Sequence, residues 1–271
     1  MQNHNHQSLP IYVVDAFTNK LFGGNPAAVC PLEKWLPTSV MQQLAAENNL
    51  SETAFFVPRE DGDFDIRWFT PEVEIDLAGH PTLATAFIIF SQLNYNSNII
   101  QFHSQSGVLI VEKKDEIMVM NFPARMPIEC AIPNNLIEGF NIQPTQILKS
   151  RDYFLVYENE EQINNLVANF SVLNKVDTLG IIVTAKANEV DFVSRFFVPN
   201  SVIGEDPVTG SAHATLIPYW ATELQKTELK AMQLSKRKGT LWCSHKGDRV
   251  TIAGECVLYS KGNYYLPINM S

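Results

Sequence analysis

The sequence predicts an α+β chain of two related lobes, on three observations. Short apolar runs bounded by Gly, Pro and Asn dominate, and long helical stretches are few. A block of sequence recurs at about half the chain length. A Pro- and Asn-rich stretch, Pro123 to Pro144, breaks the strand rhythm between the two copies.

Strands are predicted at Ile11 to Phe17, Ala27 to Cys30, Thr53 to Pro58, Asp65 to Thr70, Ile99 to His103, Val108 to Lys113 and Ile117 to Phe122. After the break they are predicted at Tyr153 to Tyr157, Gly180 to Thr184, Asp191 to Val198, Lys230 to Leu234, Thr240 to Ser244, Arg249 to Ala253 and Cys256 to Ser260. Each is a β-rich run closed by turn residues. Helices are predicted at Ser39 to Glu47, Pro81 to Leu93, Glu160 to Ala168 and Ala212 to Leu224. The second of these carries the stripe Leu83, Phe87, Phe90, Leu93 at helical spacing. Many strands with few long helices favour largely antiparallel sheets over a parallel βαβ fold. The break gives lobes over residues 9–123 and 124–271, the last strand being free to cross back to the first lobe.

The repeat is specific in order and spacing. Arg67-Trp68-Phe69-Thr70-Pro71 is followed by Gly79-His80-Pro81-Thr82. Arg195-Phe196-Phe197-Val198-Pro199 is followed by Gly210-Ser211-Ala212-His213. The first blocks are offset by 128 residues and the glycines by 131, so the second copy gains three residues between them. Each copy reads as a strand, an acidic loop with a proline, a glycine and a helix, which suggests two homologous lobes.

That arrangement points to an anion site. Gly79 and Gly210 allow close backbone approach where a helix begins, and Pro81 suits a first helical turn. First-turn N–H groups are unsatisfied and lie at the positive end of the helix dipole. Two such ends facing a cleft would clamp a small anionic substrate. The competing reading is ordinary capping by Asp76 and Ser211. Gly23-Gly24-Asn25-Pro26 reads as a turn that can line the cleft, and Thr209 precedes the second glycine.

Glu52, between a helix end and an apolar strand, is the candidate general acid and base. Partial burial there would raise its pKa towards neutrality. From that segment alone, a capping or exposed role is the commoner outcome. His80 and Asp206 are candidates to orient Glu52 or the substrate, although a lone histidine is usually structural. Ser211 has no nucleophile-elbow context. The sequence shows no dinucleotide or phosphate-loop motif and no metal-ligand spacing.

Composition narrows the remaining classes. Of 271 residues, 45% are hydrophobic and 18% charged, enough for a sizeable core. The net charge is −9 and the only basic run is Lys236-Arg237-Lys238, so nucleic acid is a poor partner. No apolar run approaches the ~20 residues that cross a bilayer, and the polar N-terminus lacks a signal pattern, so a cytoplasmic location is expected. Cys30, Cys130, Cys243 and Cys256 are widely spaced and read as free packing thiols. His4 and His6 read as part of a frayed tail rather than a metal site.

At these residues the chain resembles the PhzF family of phenazine-biosynthesis-like proteins, with the diaminopimelate-epimerase-like fold. The matching segments are Val14 to Phe17, Phe22 to Pro26, Leu50 to Thr53, Phe69 to Pro71, Ala78 to Thr82 and Glu205 to Ala212. The resemblance implies two pseudo-symmetric lobes, each a sheet wrapped around a central helix, an active site between them, no cofactor, and usually a homodimer. It implies that Glu52 shuttles a proton and that His80, Asp206 and Ser211 support it; Asn25, Gly79, Thr209 and Gly210 are the residues expected around the substrate. The family's best-known activity is isomerisation of trans-2,3-dihydro-3-hydroxyanthranilate. Racemases of this fold use two opposed cysteines, but here the matching positions are His80 and Ser211. One carboxylic acid moving a proton between carbons is the consistent chemistry. A binding protein without turnover, or an epimerase without thiols, is the alternative.

Overall fold

The computed structural model describes residues 6–267. Contacts divide the chain into two compact units, Met1–Met120 with Gly254–Ser271, and Asn121–Ala253. The division falls three residues before the expected one, and it assigns residues 254–271 to the first unit.

The first unit runs β1 (His6–Ala16), β2 (Asn25–Pro31), α1 (Thr38–Asn48), β3 (Glu52–Pro58), β4 (Phe64–Phe69), β5 (Glu74–Ile75), α2 (Gly79–Gln92), β6 (Ile99–Ser104), β7 (Gly107–Lys114) and β8 (Ile117–Pro123). Neighbours are antiparallel except β2 with β3 and β4 with β6. These two parallel junctions are bridged by α1 and α2, because a parallel return needs a crossover of about a dozen residues or more.

Helix α2 reads Gly-His-Pro-Thr-Leu-Ala-Thr-Ala-Phe-Ile-Ile-Phe-Ser-Gln and is buried from His80 through Ala86 and again at Ile88 and Ile89. A helix apolar on all sides must be enclosed, and α2 packs against β1, β2 and β3. Its threonines do not break this pattern: Thr82 and Thr85 donate their hydroxyls to Ala78 O and Pro81 O. Strand β3 has α2 on one face and α1 on the other, so consecutive Phe55 and Phe56 are both buried. On the α1 side, Val40, Met41, Leu44 and Ala45 pack with Leu9, Cys30, Phe55 and Phe69.

The second unit runs β9 (Ile128–Glu129), α3 (Asn134–Glu138), β10 (Gln146–Lys149), β11 (Tyr153–Val156), α4 (Glu160–Asn164), α5 (Phe170–Leu173), β12 (Ile181–Lys186), β13 (Phe192–Val198), β14 (Gly204–Asp206), α6 (Gly210–Leu224), β15 (Glu228–Gln233), β16 (Gly239–Lys246) and β17 (Arg249–Gly254). Its order repeats that of the first. The pair β11–β12 is parallel, like β2–β3, and β13–β15 is parallel, like β4–β6. The sequence repeat has a matching side-chain signature. Arg67 bonds both oxygens of Glu74 at 2.7 Å, and Arg195 bonds both oxygens of Glu205 at 2.7 and 2.9 Å. The three inserted residues lie in the turn between β13 and β14.

Pro218 sits inside α6 and has no N–H to donate to Ala214 O. That carbonyl instead accepts from the N–H of Arg125 at 2.8 Å, so the buried helix keeps its polar groups paired. Strand β18 (Cys256–Pro267) pairs along the whole of β1.

Four details differ from the sequence expectation. The region expected as a frayed tail is strand from His6 to Pro10, because β18 continues to Pro267 and supplies its partners; His4 lies outside the described residues. The helix expected over Glu160 to Ala168 ends at Asn164, where Arg195 Nη1 draws off the carbonyls of Ile163 and Leu166 at 3.2 and 2.7 Å. The linker Pro123 to Pro144 carries β9 and α3. Strands β5, β9, β10 and β14 are two to four residues long, too short to show a period. No helix among the described residues is long and apolar enough to cross a membrane.

Leu83 lies within α2 and is fully buried. Leu83→Ala is expected to cost about 2–5 kcal/mol of stability through lost burial and a residual cavity, read as a lowered urea midpoint with an unchanged slope.

Candidate active site

In the first unit, four of the predicted residues meet where α2 begins. Asn25 opens β2, Glu52 opens β3, and Gly79 and His80 open α2. The parallel register sets Ala27 beside Glu52, which brings the starts of β2 and β3 together. His80 Nε2 lies 3.2 Å from Glu52 Oε2, and His80 Nδ1 lies 3.2 Å from Asn25 Nδ2. The imidazole thus stands between the Asn25 amide and the Glu52 carboxylate, with its Nε2 facing the carboxylate but in no hydrogen bond among the described residues. His80 and Asn25 are buried, and the Glu52 side chain keeps 18% of its exposure. Burial pushes the His80 imidazole down to about 3, against a weaker opposing bond to the Pro26 backbone. It is therefore neutral at physiological pH, and the contact is a neutral imidazole on a carboxyl group rather than an ion pair.

The turn that delivers Asn25 is tightly built. Phe17, Phe22 and Gly24 all have positive φ, at 63°, 69° and 60°. Buried Asp15 accepts from the N–H of Phe22 at 3.0 Å. A Cβ on Gly24 would stand 2.0 Å from Ala16 O, so only glycine fits. Asp15 went unnoticed in the sequence because it sits within an apolar strand and bonds seven residues away.

In the second unit, Asp206, Thr209, Gly210 and Ser211 meet at the start of α6. Asp206 ends β14 and accepts from the Thr209 hydroxyl. Thr209 is the N-cap residue, and Gly210 and Ser211 are the first two residues of the helix. Buried Gln233 ties this turn together. Its Oε1 accepts from Thr209 N at 2.9 Å, and its Nε2 donates to Asp206 O at 2.9 Å and to Thr209 Oγ1 at 3.2 Å. A glutamine in an apolar strand was the available signal for it. Arg151 donates from Nη2 to Ser211 Oγ at 3.1 Å and is paired with buried Asp152.

Capping does not explain either helix start. The N-cap of α2 is Ala78, not Asp76, and Ser211 lies inside α6. Neither N-cap makes a side-chain capping bond. Both first turns therefore present N–H groups that their own caps leave unsatisfied.

Two other features lie away from these residues. Asp61, Asp63 and His103 bring ligand atoms within 4.8 Å of one another, a grouping invisible in sequence because it joins the turn between β3 and β4 to β6. Arg59 already supplies cationic charge there, 3.2 Å from Asp61 and 2.8 Å from Asp65. An apolar cavity of about 590 Å³ lined by Phe56, Phe64, Ile89, Leu93 and Tyr95 lies at the opposite end of α2 from His80.

The profile of the phenazine biosynthesis-like protein family, PhzC-PhzF, matches residues 14–262. A protein of Pseudomonas aeruginosa described as an uncharacterized isomerase is 48% identical over 258 residues, covering 95% of this chain and 99% of that one. The crystal structure of a PhzF-family phenazine biosynthesis protein of Enterococcus faecalis superposes with a TM-score of 0.93 at 48% identity, covering 96% of this chain and all of the other. A hydroxyproline epimerase of Agrobacterium vitis shares the fold at a TM-score of 0.60 and 7% identity, over 96% of this chain and 93% of that one.

The buried histidines make stability acid-sensitive. His80 is lowered to about 3 and His213 to about 4, both chiefly by burial, against about 6.5 in an unfolded chain. Between these values the unfolded chain binds protons that the folded one refuses, so the stabilising effect is complete above pH 6.5 and shrinks as pH falls. Urea unfolding at pH 5 is expected to show up to about 2 kcal/mol less stability per histidine than at pH 7.5. His213→Asn should flatten that slope, and an unchanged slope would contradict the burial argument.

Proposed function

The chain belongs to the phenazine biosynthesis-like family, and from that premise we propose that it is a cofactor-independent isomerase moving a proton on a small carboxylate-bearing substrate, with Glu52 as both acid and base. The observation that carries this reading is the contact of Glu52 with a histidine kept neutral by burial. A cationic imidazole at 3.2 Å would hold the carboxyl group ionised and oppose its taking up a proton. A neutral one places no charge beside the carboxyl oxygen and leaves it free to accept a proton from one carbon and return it to another.

The chemistry needs one proton carrier and a means of holding the substrate. General acid–base transfer follows from a group within hydrogen-bond reach of the moving proton. The uncapped first turns suit a carboxylate. Asp206, Thr209 and Ser211 are assigned supporting roles, as the resemblance implies. Thiol chemistry is disfavoured on this chain's own residues. His80 and Ser211 stand at the positions where cysteine would act, and burial pushes the thiols of Cys30, Cys243 and Cys256 up, away from the reactive thiolate.

The test is turnover in D2O with trans-2,3-dihydro-3-hydroxyanthranilate as probe, followed by NMR. Wild type is expected to place deuterium on carbon with a shifted double bond. Glu52→Gln is expected to lose about 100-fold or more of that rate while keeping its circular dichroism. Full activity in Glu52→Gln would rule out the assignment. Saturable binding without deuterium uptake by wild type would mark a binding protein, and stereochemical inversion without a double-bond shift would mark an epimerase.

A further inference from the structure

The two units repeat more than the strand order. In the first, the residue opening the second strand, Asn25, contacts the second residue of the central helix, His80, at 3.2 Å. In the second, Arg151 stands just ahead of the corresponding strand β11 and contacts the second residue of α6, Ser211, at 3.1 Å. Counting along the paired strands puts Arg151 one residue from strict register with Asn25, a step that its longer side chain spans. The same contact is thus made twice, once by a neutral amide and once by a cation.

The surroundings of Arg151 fix how that cation is presented. Its Nε and Nη2 donate to Asp152 Oδ2 at 3.1 and 2.9 Å. Asp152 is 2% exposed, and its Oδ1 has no hydrogen-bond partner among the described residues. A buried carboxylate holds its counter-ion firmly, because separation would leave an uncompensated charge. The guanidinium is therefore locked in place against Ser211. Its Nη1 makes no hydrogen bond among the described residues, and the side chain is 36% exposed. Ser211 accepts from Nη2, which turns its own O–H outward as a donor. The unspent guanidinium nitrogen, that hydroxyl and the uncapped first turn of α6 gather donors at one helix start, where the Asp206 carboxylate is already engaged by Thr209.

We propose that Arg151 is a specificity-determining residue that reads the carboxylate of the substrate at the start of α6, with Ser211 as its co-donor. The inference rests on the reading of the chain as an enzyme for a carboxylate-bearing substrate, and it adds the residue that selects the charge. The guanidinium stays charged at every working pH, so its one unspent nitrogen, Nη1, offers a carboxylate a charge-assisted hydrogen bond that a neutral amide does not. Asn25, at the matching place in the first unit, serves a neutral histidine and needs no charge.

The experiment is titration of the ¹⁵N-labelled chain with 3-hydroxyanthranilate, and with 3-hydroxyanthranilamide as its uncharged counterpart. The Arg151 Nε–H signal is identified by its loss in Arg151→Lys. The carboxylate is expected to move that signal saturably and the amide is not. Arg151→Gln is expected to weaken carboxylate binding about tenfold or more, the scale of one charge-assisted hydrogen bond, and Arg151→Lys to recover part of it. Because Arg151→Gln strips Asp152 of its counter-ion, the paired Arg151→Gln/Asp152→Asn variant is measured beside it, with folding checked by circular dichroism. Glu52→Gln is expected to bind as wild type does, so that loss of turnover and loss of charge reading are separable. Unchanged affinity in the folded paired variant, equal binding of the amide, or no saturable binding of the carboxylate to wild type would each overturn the proposal.

Discussion

A helix with no water-facing side sets the terms for the first unit. Residues His80 to Ala86 of α2 are all buried, so the sheet must enclose the helix, and every polar group on it must be answered from within. Thr82 and Thr85 answer themselves by bonding back to carbonyls one turn earlier. His80 meets groups from other elements, the Asn25 amide at the start of β2 and the Glu52 carboxylate at the start of β3. The proposed proton carrier thus lies beside a buried imidazole. The same burial keeps that imidazole neutral and leaves the carboxyl group able to exchange protons. Enclosure, charge state and chemistry follow from one constraint.

The polar groups at the helix starts follow a related logic. A buried N-terminus leaves several N–H groups that something must satisfy. Ala78 has no polar side chain to do so, and Thr209 turns its hydroxyl to Asp206 instead. Gln233 and Asp15 spend their hydrogen bonds on the turns leading into the two sites rather than on the helix ends. Both units invest in holding the backbone still at those turns, which is what preorganised binding requires.

The fold and most of the candidate site were legible in the sequence because they rest on local patterns. The repeated Arg-aromatic-Phe blocks and the glycines that follow them mark the strand–helix units, and Glu52, His80, Asn25 and Thr209 are found at the starts of their elements. What was not legible depends on distant pairing. Asp15, Gln233 and Arg151 act on residues 7 to 60 positions away, and nothing in their own segments announces a partner. The early end of α4 is of the same kind, since Arg195 takes its carbonyls from another strand. The expected capping by Asp76 failed for a geometric reason: the helix begins three residues after it, beyond the reach of a cap.

Duplication followed by divergence explains why one unit carries the proposed acid. Carried across the repeat at its offset of 128, the place of Glu52 falls on Gly180, at the head of β12, and no carboxylate stands there. At the helix start, His80 corresponds to Ser211, and at the preceding strand Asn25 corresponds to Arg151. Each substitution moves in the same direction. The first unit keeps a carboxyl group with neutral partners, which suits accepting and returning a proton. The second keeps a cation and a hydroxyl, which suit holding an anion, beside an Asp206 carboxylate engaged by Thr209. A symmetric pair of acids, one in each unit, would fit removal of a proton on one face and delivery on the other. Within the proposed reading, a single carboxyl group that both takes and returns the proton fits a shift between carbons better than inversion at one.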